Sequence, residues 1–342
     1  MATKRRSGKT APRKAAAKPA ARTKAAPRKM PRRTAKTSAR QPRKTRRTAS
    51  QPMFQRLALI GLGLIGSSIA WAAKKQGLVG TIVGTARTPA TRKTALRLGF
   101  IDEAVATAAE AVQDADLVII CTPVGTYKAI AAEIAPHLAP GAILSDVGSV
   151  KQVALRDIMP HLPPGVHFVP GHPIAGTEHS GPEAGFATLF QGRWCILTPP
   201  AGTDPKAVAK LRQFWQRIGS QVDIMDAAHH DKVLAITSHL PHLIAYTIVG
   251  TATDLETHLK GEVIKFAASG FRDFTRIAAS DPVMWRDIFL NNKEAVLEMI
   301  GRLTEDLAAM QRAIRWDEGD KLQDLFTRTR AIRRSIVKAG QA

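Results

Sequence analysis

A chain of 342 residues with 44% apolar content and a formal charge of +22 is long enough to bury two sizeable cores. Residues 1–50 carry 19 of the 50 Lys and Arg and no Asp or Glu, which leaves 31 basic against 28 acidic residues, or +3, for the rest; a broadly basic nucleic-acid-binding body is thereby excluded. The two cysteines, Cys121 and Cys195, are too few for a disulfide framework and fit a reduced cytoplasm.

Residues 1–52 are built from Ala, Lys, Arg, Pro, Ser and Thr, cannot bury enough surface to offset their ordering entropy, and are expected to be a disordered basic tail. The functional readings are a polybasic arm for nucleic acid or a targeting peptide. The plain ones are a solvated appendage or an upstream start with the true initiator at Met53. The run Leu57–Ala73, 17 residues without charge or histidine, contains three glycines. It is short for a membrane span and reads better as strand, glycine turn and helix start, so no membrane insertion is expected.

From Phe54 the pattern alternates. Strands are predicted at Leu57–Ile60, Thr81–Thr85, Leu117–Thr122, Ala142–Asp146, Val166–Pro170, Trp194–Thr198 and Gln221–Ile224. Helices fall between them, at Ile65–Lys75 ended by Gly77, Pro89–Leu98 ended by Gly99, Val124–Ala135, Val150–His161 and Pro205–Ile218. Strands separated by helices of this length argue for an α/β fold, a Rossmann-type doubly wound, mainly parallel sheet over residues 53–225. Beyond Met225 strand signals nearly vanish, and an all-helical domain is expected over 226–338. Asp226 caps its first long helix, with Pro241 kinking it. A second helix starts at Ser280-Asp281-Pro282 and carries Ile288, Asn292, Val296, Met299, Leu303, Leu307 and Met310 at three- or four-residue spacing. A last one carries Leu322, Leu325, Phe326, Ile332 and Ile336. Such stripes mark a core or a subunit seam.

Gly61-Leu62-Gly63-Leu64-Ile65-Gly66 lies directly after a strand and opens a helix, the context that gives a glycine pattern meaning. Gly61 permits the tight turn, Gly63 lets backbone approach a pyrophosphate, and Gly66 lets helix and strand pack; Leu64 and Ile65 supply amides at the helix start. Thr122 and Pro123, at the end of a later strand, belong to the same coenzyme site. About 20 residues after the turn an Asp or Glu would meet the ribose of NAD. Here Ala86, Arg87 and Thr88 stand instead, which predicts NADP over NAD through Arg87.

Three segments hold more polar chemistry than a core needs: Asp146 to Lys151 (DVGSVK), Gly171 to Glu178 (GHPIAGTE) and Ser238 to His242 (SHLPH). A fourth, Gly270 to Arg276 (GFRDFTR), leads into Ser280-Asp281-Pro282. With GLGLIGSS these motifs, in this order from Phe54 to about Ala331, resemble the prephenate and arogenate (cyclohexadienyl) dehydrogenases. That resemblance implies oxidation of a cyclohexadiene alcohol at C4, departure of the ring carboxylate as carbon dioxide, and an enzyme of tyrosine biosynthesis that works as a homodimer.

Such chemistry needs a proton acceptor for the ring hydroxyl, a task for neutral imidazole. His172 matches the family's catalytic histidine, and Ser149 the serine between substrate hydroxyl and nicotinamide. Arg276 matches the arginine that takes a substrate carboxylate, His242 a histidine lining the pocket, Glu178 an acid at its entrance, and Trp285 a residue near the site or the dimer seam. Ser269 stands where some relatives have glycine, which leaves prephenate against arogenate open. His239 with His242, and His229-His230, have spacings that suit metal ligation, but no carboxylate partner or HExxH pattern accompanies them, and no metal is expected. The competing readings are another hydroxy-acid dehydrogenase of the same two-domain plan, and a nucleic-acid-binding protein acting through the tail.

Overall fold

A computed structural model describes residues 51–254, 261–262 and 265–338; the expectations for the basic tail lie outside them. Six strands form the principal sheet: β1 (Phe54–Ile60), β2 (Val79–Thr85), β3 (Glu103–Ala104), β4 (Leu117–Ile120), β5 (Ile143–Asp146) and β6 (His167–Phe168). All pair in parallel, in the order β3-β2-β1-β4-β5-β6. Side chains alternate across the sheet. Leu57 and Leu59 of β1 enter a core on one face with Ile69, Phe214 and Trp215, while Ala58 and Ile60 enter one on the other with Tyr127, Ile134, Val153 and Ile158. Burial on both faces is why Leu57–Ile60 of β1 and the whole of β4 are continuous apolar runs.

The connecting helices start and stop where local chemistry dictates. Helix α1 (Leu64–Gln76) follows the glycine turn and ends on Gly77, and α2 (Pro89–Leu98) is capped by the Thr88 side chain on Thr91 N–H and ends on Gly99. Then come α3 (Ala108–Ala111), α4 (Tyr127–Ile134) and α5 (Lys151–Ile158). The chain leaves β1 toward β2 on one side and returns to pair β4 on the other, so a crevice opens beyond the carboxyl ends of β1 and β4, where such sheets place ligands.

One expectation is corrected. The strands after β6 do not extend the main sheet: β7 (Gly171–Pro173), β8 (Trp194–Leu197) and β9 (Gln221–Ile224) form a second sheet, with β7 antiparallel to β8. The ladder to β5 uses His167 N–H and Val169 N–H and stops at the next donor, Gly171, whose N–H meets the Asp146 side chain at 3.3 Å, while Pro170 O accepts from Thr198 N–H at 2.9 Å and joins β8. Helix α6 (Pro205–Arg217) packs Leu211, Phe214 and Trp215 into the first core.

All elements after β9 are helical among the described residues. Helix α7 (Ala227–Leu234), capped by Asp226 as expected, runs through a π turn (Ala235–His239) into α8 (Leu240–Thr253). Pro241 offers no N–H to the turn before it, and the helix widens there, with Leu240 N–H reaching back to Ala235 O. This run is apolar and long enough to cross a membrane, yet His230, Asp231 and His239 within it are buried against the rest of the protein. After α9 (Ser269–Thr275) and a 3-10 turn (Arg276–Ala279), Asp281 caps α10 (Pro282–Asn291) on Met284 N–H. The single long helix expected from Pro282 is interrupted: α11 (Lys293–Arg315) begins after Asn292, whose φ of −112° and ψ of 37° leave the helix. Asn292 is buried, and its side chain donates to Asp231 O at 2.8 Å. Together with α12 (Gly319–Lys338), these last helices leave Leu297, Leu307, Ile314, Phe326, Ile332 and Ile336 exposed.

Candidate active site

The glycine turn lies where the sequence placed it, between β1 and α1. Gly61 has φ +107°, and a Cβ there would lie 2.7 Å from Cys121 O on β4's end; a Cβ on Gly66 would lie 2.1 Å from Gly61 O; one on Gly63 would meet nothing within 4 Å. Gly61 and Gly66 are therefore fixed by packing, and Gly63 faces open space. No side chain caps the first amides of α1, so Leu64 and Ile65 present N–H groups to that space. An open, uncapped helix N-terminus at the switch point of a parallel sheet fits a dinucleotide pyrophosphate. Thr122 and Pro123 follow β4 at the crevice edge, where Thr122 Oγ1 pairs with Thr126 Oγ1 at 2.8 Å. At the end of β2, Thr88 is occupied as a helix cap, Arg92 donates to Ala86 O at 2.5 Å, and Arg87 is exposed.

Beyond β5 the motif DVGSVK builds a buried ionic knot. Asp146 accepts from Lys151 Nζ at 2.5 Å, Tyr127 Oη at 2.7 Å and Gly148 N–H at 2.8 Å, and Lys151 Nζ also donates to Gly171 O at 2.7 Å. Both charged groups are fully buried. Their function in the architecture is to fasten β7 to the end of β5, which sets His172 beside the crevice. Burial, with Asp146 next in effect, pushes the Tyr127 hydroxyl well above its ordinary pKa, so it remains a donor. Ser149 lies half-buried in the same loop.

His172 is 7% exposed and held by a partner the sequence did not point to. Its Nδ1 lies 2.9 Å from His230 Nε2, and His230 Nδ1 lies 2.8 Å from Asp231 Oδ1. Asp231 also accepts from the first amides of α5, Lys151 N–H at 2.7 Å and Gln152 N–H at 2.9 Å, so one carboxylate of the helical region caps the helix that follows Ser149. Burial first, then electrostatic coupling to His230, Lys151 and His239, pushes the His172 pKa well below that of free imidazole. The ring is neutral at pH 7, as a general base must be.

A second cluster lies on the helical side. His242 stacks on Trp285 with centroids 3.7 Å apart and ring planes at 23°, and its Nδ1 donates to Ser238 O at 2.9 Å, leaving Nε2 as an acceptor. Burial, offset by Ser238 O and reinforced by the charge of Arg276, lowers its pKa. Arg276, 61% exposed, approaches Glu178 at 3.6 Å, a loose pair of little stabilising value. His239 stands between the clusters, 6.1 Å from Trp285 by ring centroids, with Asn292 on its Nδ1 and a buried Nε2 that has no hydrogen-bond partner among the described residues. Ser269 is exposed at the first residue of α9, outside the contacts that tie the cluster together. His230 and Asp231 are the residues sequence reasoning missed as a pair. The local sequence shows only the polar run His229-His230-Asp231-Lys232 near the start of a long helical stretch, and nothing in it marks His230 and Asp231 as the two that turn inward.

Family models match both halves: prephenate dehydrogenase, nucleotide-binding domain, over residues 69–224, and prephenate dehydrogenase, dimerization domain, over residues 226–328. A cyclohexadienyl dehydrogenase of Zymomonas mobilis is 40% identical over 284 residues, 83% of this chain and 97% of the relative. The chain belongs to the prephenate dehydrogenase family. A prephenate dehydrogenase of Bacillus subtilis is 36% identical over 271 residues, 79% of this chain and 73% of the relative. Among solved structures, prephenate dehydrogenase from Aquifex aeolicus in complex with hydroxyphenyl propionate and NAD+ superposes with a TM-score of 0.77 at 35% identity. That match covers 82% of this chain and 98% of the other. Synechocystis arogenate dehydrogenase gives 0.70 at 27% identity, covering 82% and 99%. Membership makes the protein an oxidoreductase with a nucleotide-binding Rossmann domain, and the matched helical half is a dimerization domain.

Proposed function

We propose that the protein oxidatively decarboxylates prephenate, dehydrogenates arogenate, or does both, in the cytoplasm, as a homodimer. The observation that carries this reading is the neutral, buried His172 imidazole, fastened through β7 and the Asp146–Lys151 pair to the crevice that the glycine turn opens.

The residues divide the work as follows. Gly61, Gly63, Leu64, Ile65 and Gly66 receive the pyrophosphate, with Thr122, Pro123 and Ser149 along the crevice edge. When bound, the nicotinamide coenzyme is the acceptor of the two electrons lost by the ring alcohol. His172 takes the hydroxyl proton, and Ser149 orients that hydroxyl. Arg276, only loosely engaged by Glu178, receives a substrate carboxylate in a two-pronged pair. His242, its ring held by Trp285 and Ser238, offers Nε2 to a substrate donor. Loss of carbon dioxide then needs no further base, because aromatisation drives it.

For the coenzyme, a carboxylate-free end of β2 with an exposed Arg87 supports NADP over NAD. Exposed apolar side chains along α11 and α12 support a dimer seam there. Steady-state rates with prephenate and arogenate against both coenzymes test the assignment. His172→Ala is expected to lower turnover by ~10²–10⁴, with coenzyme affinity little changed. Failure of the purified protein to reduce either coenzyme with either substrate would end the reading. Arg87→Ala is expected to erase the NADP preference, and a strong NAD preference unaffected by it would remove that part alone.

A further inference from the structure

We propose that His230, with Asp231 behind it, is a positioning residue that locks His172 in the single tautomer able to act as base, with the proton on Nδ1 and the lone pair on Nε2. The proposal rests on His172 being the base.

Lys151 N–H and Gln152 N–H are backbone groups that can only donate, and both point at Asp231, at 2.7 and 2.9 Å. Asp231 thereby presents both oxygens as acceptors, and His230 Nδ1, 2.8 Å from Oδ1, is the N–H of that pair. The other His230 nitrogen depends on the ring's charge. Burial lowers the His230 pKa, and although Asp231 opposes this, the net shift is downward. A neutral His230 has a lone pair on Nε2, and the only nitrogen at 2.9 Å to fill it is His172 Nδ1, which must then carry a hydrogen. His172 Nε2 is left bare.

The opposite arrangement would require a doubly protonated His230. It would sit fully buried near the Lys151 ammonium, with its one carboxylate neighbour, Asp231, already engaged by two amides of α5. The charged and titratable groups facing the two rings are Asp146 from β5, Lys151 from α5, Asp231 from α7 and His239 from the π turn. Of these only Asp231 touches the His230 nitrogen that sets the tautomer. When His172 takes the substrate proton, its Nδ1–H keeps the same acceptor, and the new positive charge faces a ring whose far edge leans on a carboxylate. The same Asp231 caps the helix after Ser149, so base and serine are positioned by one group.

The test uses the full-length protein and three variants. Nitrogen-15 imidazole NMR of the wild type is expected to show His172 protonated at Nδ1 only, near neutral pH. His230→Phe keeps the ring shape but removes the acceptor; it is expected to lower kcat by ~10²–10⁴ with substrate and coenzyme KM within a few-fold, and to leave His172 in mixed tautomers. His230→Gln, whose amide oxygen replaces Nε2 as acceptor, is expected to recover kcat to within about tenfold of wild type and to restore the single tautomer. If His230→Phe does not fold, the wild-type spectrum and His230→Gln still decide. A wild-type His172 protonated at Nε2, or a folded His230→Phe with normal kcat, overturns the proposal. The reading beneath it fails separately, if His172→Ala retains turnover while the wild-type spectrum shows the expected tautomer.

Discussion

Alanine at Gly66 and alanine at Gly63 differ by one methyl group each from the same turn, and the structure predicts opposite consequences. A Cβ on Gly66 would stand 2.1 Å from Gly61 O, about 0.9 Å inside the 3.0 Å that real Cβ contacts respect. The obstacle is backbone and cannot swing aside, so β1 and α1 must part. Overpacking of this kind costs about 1–3 kcal/mol, and the gain of alanine over glycine in a helix offsets at most about 1 kcal/mol of it. Because a 2.1 Å approach to backbone lies at the severe end of that range, the net loss is ~1–2 kcal/mol, which lowers the unfolding midpoint by roughly 2–8 °C in a domain of this size. At Gly63 the added methyl meets nothing within 4 Å, and φ −81° with ψ −163° is extended backbone open to alanine. Stability should fall by no more than the ~1 kcal/mol that alanine loses as a helix N-cap. Coenzyme, whose phosphates need that space, should bind at least tenfold more weakly, about 1.4 kcal/mol. Thermal unfolding without coenzyme and fluorescence titration with reduced coenzyme separate the two effects. A Gly66→Ala protein as stable as wild type, or a Gly63→Ala protein with unchanged coenzyme affinity, would refute the assignment of the turn.

Lys151→Met leaves the Asp146 charge buried without its cation and is expected to destabilise by ~3–5 kcal/mol; denaturant unfolding within 1 kcal/mol of wild type would show that the knot does not hold β7. Arg276→Ala should raise substrate KM at least tenfold while leaving the unfolding midpoint within about 2 °C, because the guanidinium is 61% exposed and its pair with Glu178 is loose; an unchanged KM would contradict its role. Burial lowers the His239 pKa from 6.5 to about 4, so the unfolded chain binds the extra proton first as pH falls. Stability should therefore drop between pH 6.5 and 4, by about 2 kcal/mol at pH 5 from this group, and His239→Gln should flatten that slope in denaturant titrations.

The elements around the glycine turn were legible because their signals are local. The glycine turn, the Thr88 cap and the apolar runs of β1 and β4 each announce themselves within a few residues, and both faces of those strands are buried. What escaped depends on partners distant in sequence. Gly171-His172-Pro173 pairs with β8 and not with the main sheet; its first N–H is taken by the Asp146 side chain, 25 positions away, which periodicity does not reveal. Asn292 fits a helical stripe by spacing, yet it ends a helix because Asp231 O, 61 positions away, takes its amide. His172 was legible through its motif, whereas the pair behind it is separated by 58 positions and carries no spacing rule.

The Asp231 bridge ties the fate of two regions that look separable on paper. An isolated front half ending before Asp226 would retain every surface that greets a dinucleotide, yet the imidazole meant to work there would be free to spin between inert and useful forms. Chimeras that exchange the rear helices among relatives should therefore succeed only when the incoming segment brings its own histidine–aspartate couple in register. Substrate preference can drift through pocket-lining positions, while this couple travels with the chemistry.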